Sequence, residues 1–157
     1  MRFQSVHNLP FTGSMDTTTW HALVRAAAGH QIDPNPYTYV YVSTTLPETL
    51  TLYIDNYVFF TSEVNTGLPG AVTQAGTFPV YLRYAVTTMS GTDLQGKKYH
   101  DTGIPWTSYF NGGDALHGFI RSSYGYPQSL GCVEMTFAHA AIVWPHTPIG
   151  TLVTVSA

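Results

Sequence analysis

The sequence predicts a mainly β domain with short helical pieces near its start and its end. Two observations carry that expectation. The chain is 44% hydrophobic and 14% aromatic, with 11 Tyr and only 10% charged residues, a composition suited to pleated, half-buried surfaces and poorly suited to disorder. Its apolar residues also fall into short alternating runs punctuated by Gly and Pro, and few segments carry helical spacing. At 157 residues the chain can bury a real core within one domain plus a short appendage.

The first helical segment follows Asp16 and Thr17, which can cap it. Trp20, Leu23, Val24 and Ala27 recur at helical spacing, and Gly29 offers a left-handed stop. Asp33-Pro34-Asn35-Pro36 breaks the pattern and marks a linker between a unit at 1–33 and a second at 37–157. From Tyr37 the period becomes two, with Tyr37, Tyr39 and Tyr41 on one face and Thr38, Val40 and Val42 on the other. Leu50 to Ile54 and Tyr57 to Val64 flank Asp55-Asn56, two residues that tolerate positive φ, so a hairpin is expected. Thr77 to Val86 reads as one strand and Thr151 to Val155 as the last. Phe137 to Trp144 reads as a short helix, with Thr136 as its cap and Pro145 as its stop. Between Thr87 and Asp114 the pattern dissolves into Gly, Asp, Lys and aromatics, which predicts a long functional loop.

Charge narrows the function classes. A net charge of -3 with 6 Lys and Arg leaves no basic surface able to neutralise a run of phosphates, so nucleic acid is not an expected partner. No stretch approaches the roughly 20 apolar residues of a membrane-spanning helix, and Met1 to Val6 contains no apolar secretion-signal core. The single Cys cannot form an intramolecular disulfide, so Cys132 serves either packing or chemistry. Scattered His and one Cys provide no tetrahedral ligand spacing, and no metal or other cofactor is expected.

The run Ser129-Leu130-Gly131-Cys132-Val133-Glu134 has the makings of a reactive turn. A glycine before the thiol allows close backbone approach and could leave two amides facing a substrate carbonyl. A thiol attacks as thiolate and needs a base. Of the 7 histidines, His117 in Ala115-Leu116-His117-Gly118-Phe119-Ile120 is the best placed, because apolar flanks suggest a strand end holding the ring; His7, His21, His30, His100, His139 and His146 lie in helical or irregular segments. A lone Cys is otherwise a small buried hydrophobe, and a lone His a structural hydrogen-bonding residue.

His117-Gly118 followed by Ser129-Leu130-Gly131-Cys132-Val133 resembles the catalytic signature of the L,D-transpeptidase family. Thr73-Gln74-Ala75-Gly76-Thr77-Phe78 resembles the family's strand entry, and Gly150-Thr151-Leu152-Val153-Thr154-Val155 its closing strand, in the same order. The resemblance runs from about Tyr37 to Val155. It implies a β-sandwich with one short helix near the active site, Cys132 as nucleophile, His117 as base, the Gly131 and Cys132 amides at an oxyanion, and Ser129 fixing the histidine or the turn. It further implies a flap whose inner face carries Tyr99, Trp106 and Tyr109, with Gly118, Arg121 and Glu134 as further candidates for substrate contact. The implied partners are peptidoglycan stem peptides, in the extracytoplasmic envelope.

Three departures stand out. Leu130 occupies the place of a second histidine, Glu134 that of an Arg or Asn, and Gln74 that of a Pro; Arg121 or Arg83 are candidates to replace the missing positive charge. Phe3-Gln4, Leu9, Thr12-Gly13 and Thr19-Trp20 with Leu23 resemble the second half of a helical peptidoglycan-binding module. The implied activity is transpeptidation through a thioester on tetrapeptide stems. The alternatives are an L,D-carboxypeptidase using water, an inactive wall-binding protein, and an unrelated cysteine peptidase, which would set Cys132 at the start of a long helix.

Overall fold

A computed structural model describes Met1–Ala157. Helices α1 (Arg2–Val6) and α2 (Thr17–Ala28) precede β1 (Thr38–Ser43), β2 (Thr49–Ile54), β3 (Tyr57–Glu63), β4 (Gly76–Pro79), β5 (Leu82–Thr92), β6 (Lys98–Asn111), β7 (Asp114–Gly118) and β8 (Val133–Met135). Helix α3 (Phe137–Val143), a 3-10 turn over Trp144–His146 and β9 (Leu152–Ser156) complete the chain. The strands form two sheets, ordered β3-β2-β1-β9-β4 and β5-β6-β7-β8, each mixing parallel and antiparallel pairs. Val40, Val42, Leu52 and Val153 from the first sheet share one core with Phe110, Leu116, Val133 and Met135 from the second, and Ala140 and Val143 of α3 close it. The mainly β architecture with a short helix near the C-terminus is therefore present.

Local chemistry accounts for the boundaries. Asp16 caps α2 by accepting from the Thr19 amide at 2.7 Å, and Thr136 caps α3 by accepting from the His139 amide at 3.1 Å. Asp55 and Asn56 take positive φ of 49° and 69°, giving the β2–β3 hairpin its tight turn. Gly29, by contrast, has φ -87°, and the left-handed residue after α2 is His30. Nor is the apolar stripe of α2 its buried one: Thr19, Ala22 and Ala26 face inward, while Trp20 and Val24 are exposed. Short side chains let α1 come close, and the buried Gln4 amide donates to Thr19 Oγ1 and Thr12 Oγ1.

Two expectations are corrected in the stretch leading to the site. The strand expected over Thr77 to Val86 is two strands in different sheets: Val80 donates its amide to Thr151 and Tyr81 to Tyr109, so the chain changes sheets there, just past Pro79. The loop expected between Thr87 and Asp114 is instead the outer half of β5, the tip of the β5–β6 hairpin, all of β6 and the turn into β7. One face of the hairpin's distal part is half-buried at Thr87, Met89, Gly91 and Tyr99, but these residues form no hydrophobic alternation to read. Its tip is tied by Asp93 Oδ1, which accepts from the Gln95 and Lys97 amides.

Candidate active site

Strands β7 and β8 run parallel, with Leu116 opposite Val133, His117 opposite Glu134 and Gly118 opposite Met135. Side chains alternate along a strand. Leu116, Val133 and Met135 therefore enter the core, and His117, Glu134 and the preceding Cys132 share the other face. That face forms the floor of a pocket of about 860 Å³, walled by Tyr99 and Tyr109 of β6 and by Arg121 in the loop after β7. Cys132 thus sits in a turn leading into a strand, whereas the unrelated-peptidase alternative needs it at a helix start.

The turn around the thiol is braced from within. Ser129 Oγ donates to the Cys132 carbonyl at 2.6 Å and accepts from the Gly131 amide at 3.1 Å. Gly131 has φ +116°, and a Cβ there would lie 2.5 Å from Asp114 Oδ1, so only glycine fits. Its carbonyl accepts from Thr73 Oγ1 at 2.8 Å, and Thr73 Oγ1 in turn accepts from the Gly67 amide at 2.9 Å. Of the two amides expected to face a substrate carbonyl, the Gly131 amide is already engaged by Ser129, while the Cys132 amide makes no hydrogen bond within the protein. The thiol itself donates to the Gly113 carbonyl at 3.7 Å.

Electrostatics follow from burial. The Cys132 thiol is pushed up to about 12, chiefly by desolvation; the Ala115 amide lowers it, and the Asp114 and Glu134 carboxylates raise it. His117 is only 2% exposed, and burial depresses its pKa below the ordinary histidine value. Its bond to Gly118 and the Glu134 charge oppose that shift, whereas Arg121 adds to it. The Nδ1 atom lies 3.0 Å from the Gly118 carbonyl. A carbonyl only accepts, so Nδ1 carries the proton and the Nε2 lone pair is free. Burial also raises Tyr99 and Tyr109, and negative charge on Cys132 would raise them further.

Other residues singled out in the sequence fall into different positions. Glu134 binds Arg121 through both oxygens, at 2.7 and 2.8 Å, and the guanidinium stacks 4.7 Å from the centre of the Phe119 ring. Arg83 is remote from the pocket, lying over Trp144 at 3.6 Å. Trp106 lies outside the lining. Its backbone φ of 53° falls between the Pro105–Val86 and Thr107–Tyr84 pairs, and its ring meets Phe137 edge-on. Gly118 serves packing, since a Cβ there would lie 2.9 Å from Phe137 and 3.0 Å from Pro105. Leu130 lines the pocket and cannot make a histidine's hydrogen bond. Sequence reasoning passed over Thr73 and Asp114 as site residues. The motif beginning at Thr73 was the one signal available, because its partner Gly131 is distant along the chain. No group of three or more His, Cys, Asp or Glu is arranged to hold a metal ion, and no helix is long and apolar enough to cross a membrane.

Comparison with known proteins agrees with this fold. The family model of the L,D-transpeptidase catalytic domain matches residues 37–155. Among solved structures, an L,D-transpeptidase from Mycobacterium smegmatis superposes with a TM-score of 0.70 at 22% identity, covering 78% of this chain and 60% of that one. L,D-transpeptidase 3 from Mycobacterium tuberculosis, in complex with a faropenem-derived adduct, gives 0.70 at 18% identity, with 78% and 61% covered. The catalytic domain of the Enterococcus faecium L,D-transpeptidase gives 0.67 at 23%, with 75% and 95% covered. The chain thus spans about three fifths of the two mycobacterial proteins and nearly all of the isolated enterococcal domain. No curated protein matches the sequence.

Proposed function

We propose that this chain, which belongs to the L,D-transpeptidase family, is an active cysteine acyltransferase that remodels peptidoglycan cross-links in the extracytoplasmic envelope. Cys132 attacks the carbonyl joining an L-centre to a D-residue in a tetrapeptide stem. His117 Nε2 takes the thiol proton, sulfur bonds to the carbonyl carbon, and the unpartnered Cys132 amide donates to the oxyanion. Collapse of that intermediate breaks the C–N bond. The imidazolium returns its proton to the departing D-amino acid, leaving a thioester; the amine of a second stem then attacks that carbonyl, His117 takes the amine's proton and passes it to the departing Cys132 sulfur, and the cross-link amide remains. Met1 to Asp33, in the same proposal, is the second half of a wall-binding module.

The carrying observation is the orientation of His117, whose Nδ1–H is committed to the Gly118 carbonyl so that Nε2 remains a base within the pocket that holds the thiol. Burial that raises the Cys132 thiol to about 12 disfavours a resting thiolate, so in this reading proton transfer to His117 accompanies attack once substrate has entered. Intact-mass spectrometry after incubation with a carbapenem tests the reading. A single adduct that disappears in Cys132→Ser is expected; an unmodified wild-type chain that still binds wall fragments would point to the inactive binding protein. Incubation with two stem peptides then separates outcomes: a cross-linked dimer means transpeptidation, and a shortened stem alone means L,D-carboxypeptidase activity.

A further inference from the structure

Glu134 is nearly buried, its side chain 6% exposed, on the reactive face of β8. The register sets it across from His117 in a parallel pair, and neighbouring strands lie about 4.8 Å apart, so the two side chains are neighbours on one face. Yet no hydrogen bond joins the two. Both Glu134 oxygens go to Arg121 Nε and Nη2, and the guanidinium is held further by the Phe119 ring and by the Gln128 carbonyl at 3.4 Å. A carboxylate is thus fixed beside the base, with a guanidinium clamped beyond it.

We propose that Glu134 is a positioning residue for the acyl transfer: fixed by Arg121, it stabilises through space the imidazolium that forms when His117 takes the proton of Cys132. The inference rests on the proposed acyl transfer, because it assigns Glu134 a part in that reaction's proton step. When the proton moves from sulfur to Nε2, positive charge appears on a ring shielded from water. Nδ1–H already has its acceptor in Gly118, so further stabilisation must come from nearby charge.

The charged and titratable groups around the ring divide by element. Glu134 and Cys132 come from β8 and its turn, Arg121 and Tyr124 from the loop after β7, Asp101, Tyr99 and Tyr109 from β6, Asp93 from the hairpin tip and Asp114 from the start of β7. Helix α3, packed against β7, brings only His139 among titratable groups, and that ring is turned to Ser62 Oγ at 2.6 Å. Glu134 is the carboxylate with the largest upward pull on His117, and Arg121 opposes it. A pair that merely held the loop in place would not make the titration of His117 depend on the sign of the charge removed.

Opposite charge removals therefore have opposite effects. The test is an NMR pH titration of the His117 ring in wild type, Glu134→Gln, Arg121→Gln and Arg121→Lys. Glu134→Gln leaves the guanidinium unopposed and moves the midpoint down; Arg121→Gln leaves the carboxylate unopposed and moves it up, each by roughly half a pH unit or more. Arg121→Lys, which keeps the charge, restores the wild-type midpoint. Should Glu134→Gln fail to fold, the Arg121 pair decides, since Arg121 is partly exposed. Shifts of the same sign, no shift, or identical behaviour of Arg121→Gln and Arg121→Lys would overturn the inference. Because the readout is the ring and not turnover, such a failure is distinct from a missing carbapenem adduct, which would strike the proposed activity instead.

Discussion

Strands β7 and β8 have two faces, built from alternate residues of the same short segments, and the faces obey different physics. On one, Leu116, Val133 and Met135 are 0–1% exposed and packed into the shared core. On the other, His117, Cys132 and Glu134 meet a pocket, and their properties are set by charge and hydrogen bonds. A slip of one residue would exchange the two sets entirely. Core packing therefore does more than stabilise, because it fixes the register that brings an imidazole and a carboxylate opposite each other and leaves the thiol one step away.

The sharpest way to separate the faces is to remove the sulfur. Cys132→Ala should lower acyl transfer by about 10⁴-fold or more while leaving the melting temperature within a few degrees of wild type. Stem turnover and thermal unfolding, measured on the same preparation, check it; retained turnover would dissolve the functional contrast. On the opposite face, Leu116→Ala should cost about 2–5 kcal/mol of stability through the cavity it opens. Carbapenem acylation per folded molecule should survive in the cold. Denaturant unfolding alongside adduct formation would reveal whether the register holds without that side chain.

Ser129→Ala probes the seam between the faces and should have a smaller effect. It removes the bond to the Cys132 carbonyl and leaves the Gly131 amide without its acceptor, a loss of about 1–3 kcal/mol. If the turn is what aims the Cys132 amide, acylation should slow about tenfold or more. A variant that is destabilised yet acylates at the wild-type rate would assign Ser129 to folding alone.

Which of these features the sequence disclosed depends on how far their causes reach along the chain. Local causes were legible: the Asp16 and Thr136 caps, the Asp55-Asn56 turn, and the alternation of β1 that buries Val40 and Val42. The outer β5–β6 hairpin was not, because its half-buried positions in β5, Thr87, Met89 and Gly91, are not a hydrophobic set. Pro79 to Tyr81 hid the change of sheet because β propensity continues across it. At the site, Gly131 beside Cys132 signalled a tight turn, but the Thr73–Gly131 bond, the approach of Asp114 and the Glu134–Arg121 pair join residues that only the fold brings together. Trp106 illustrates the converse: an aromatic in the flap segment whose positive φ accompanies a ring directed toward Phe137.

The smallest expected effect at neutral pH becomes visible in alkali. In the folded protein the Cys132 thiol ionises only near 12, whereas in an unfolded chain it does so near its ordinary value of about 8.5–9. Between those values the unfolded state gives up a proton that the folded state keeps. Raising the pH therefore favours unfolding. The contribution is fully present below about pH 8.5 and is lost progressively as the pH rises through 12, amounting to about 4–5 kcal/mol at most. Cys132→Ala also frees Tyr99 and Tyr109 from the charge that the thiolate would place beside them, which adds to the variant's gain in alkali. The variant should thus gain on wild type steadily from pH 9 to pH 11 in thermal or urea unfolding. A difference that stays flat over that range would mean that the sulfur is better solvated than its place on the pocket floor implies, and that the contrast between a packed face and an electrostatic one begins above Cys132.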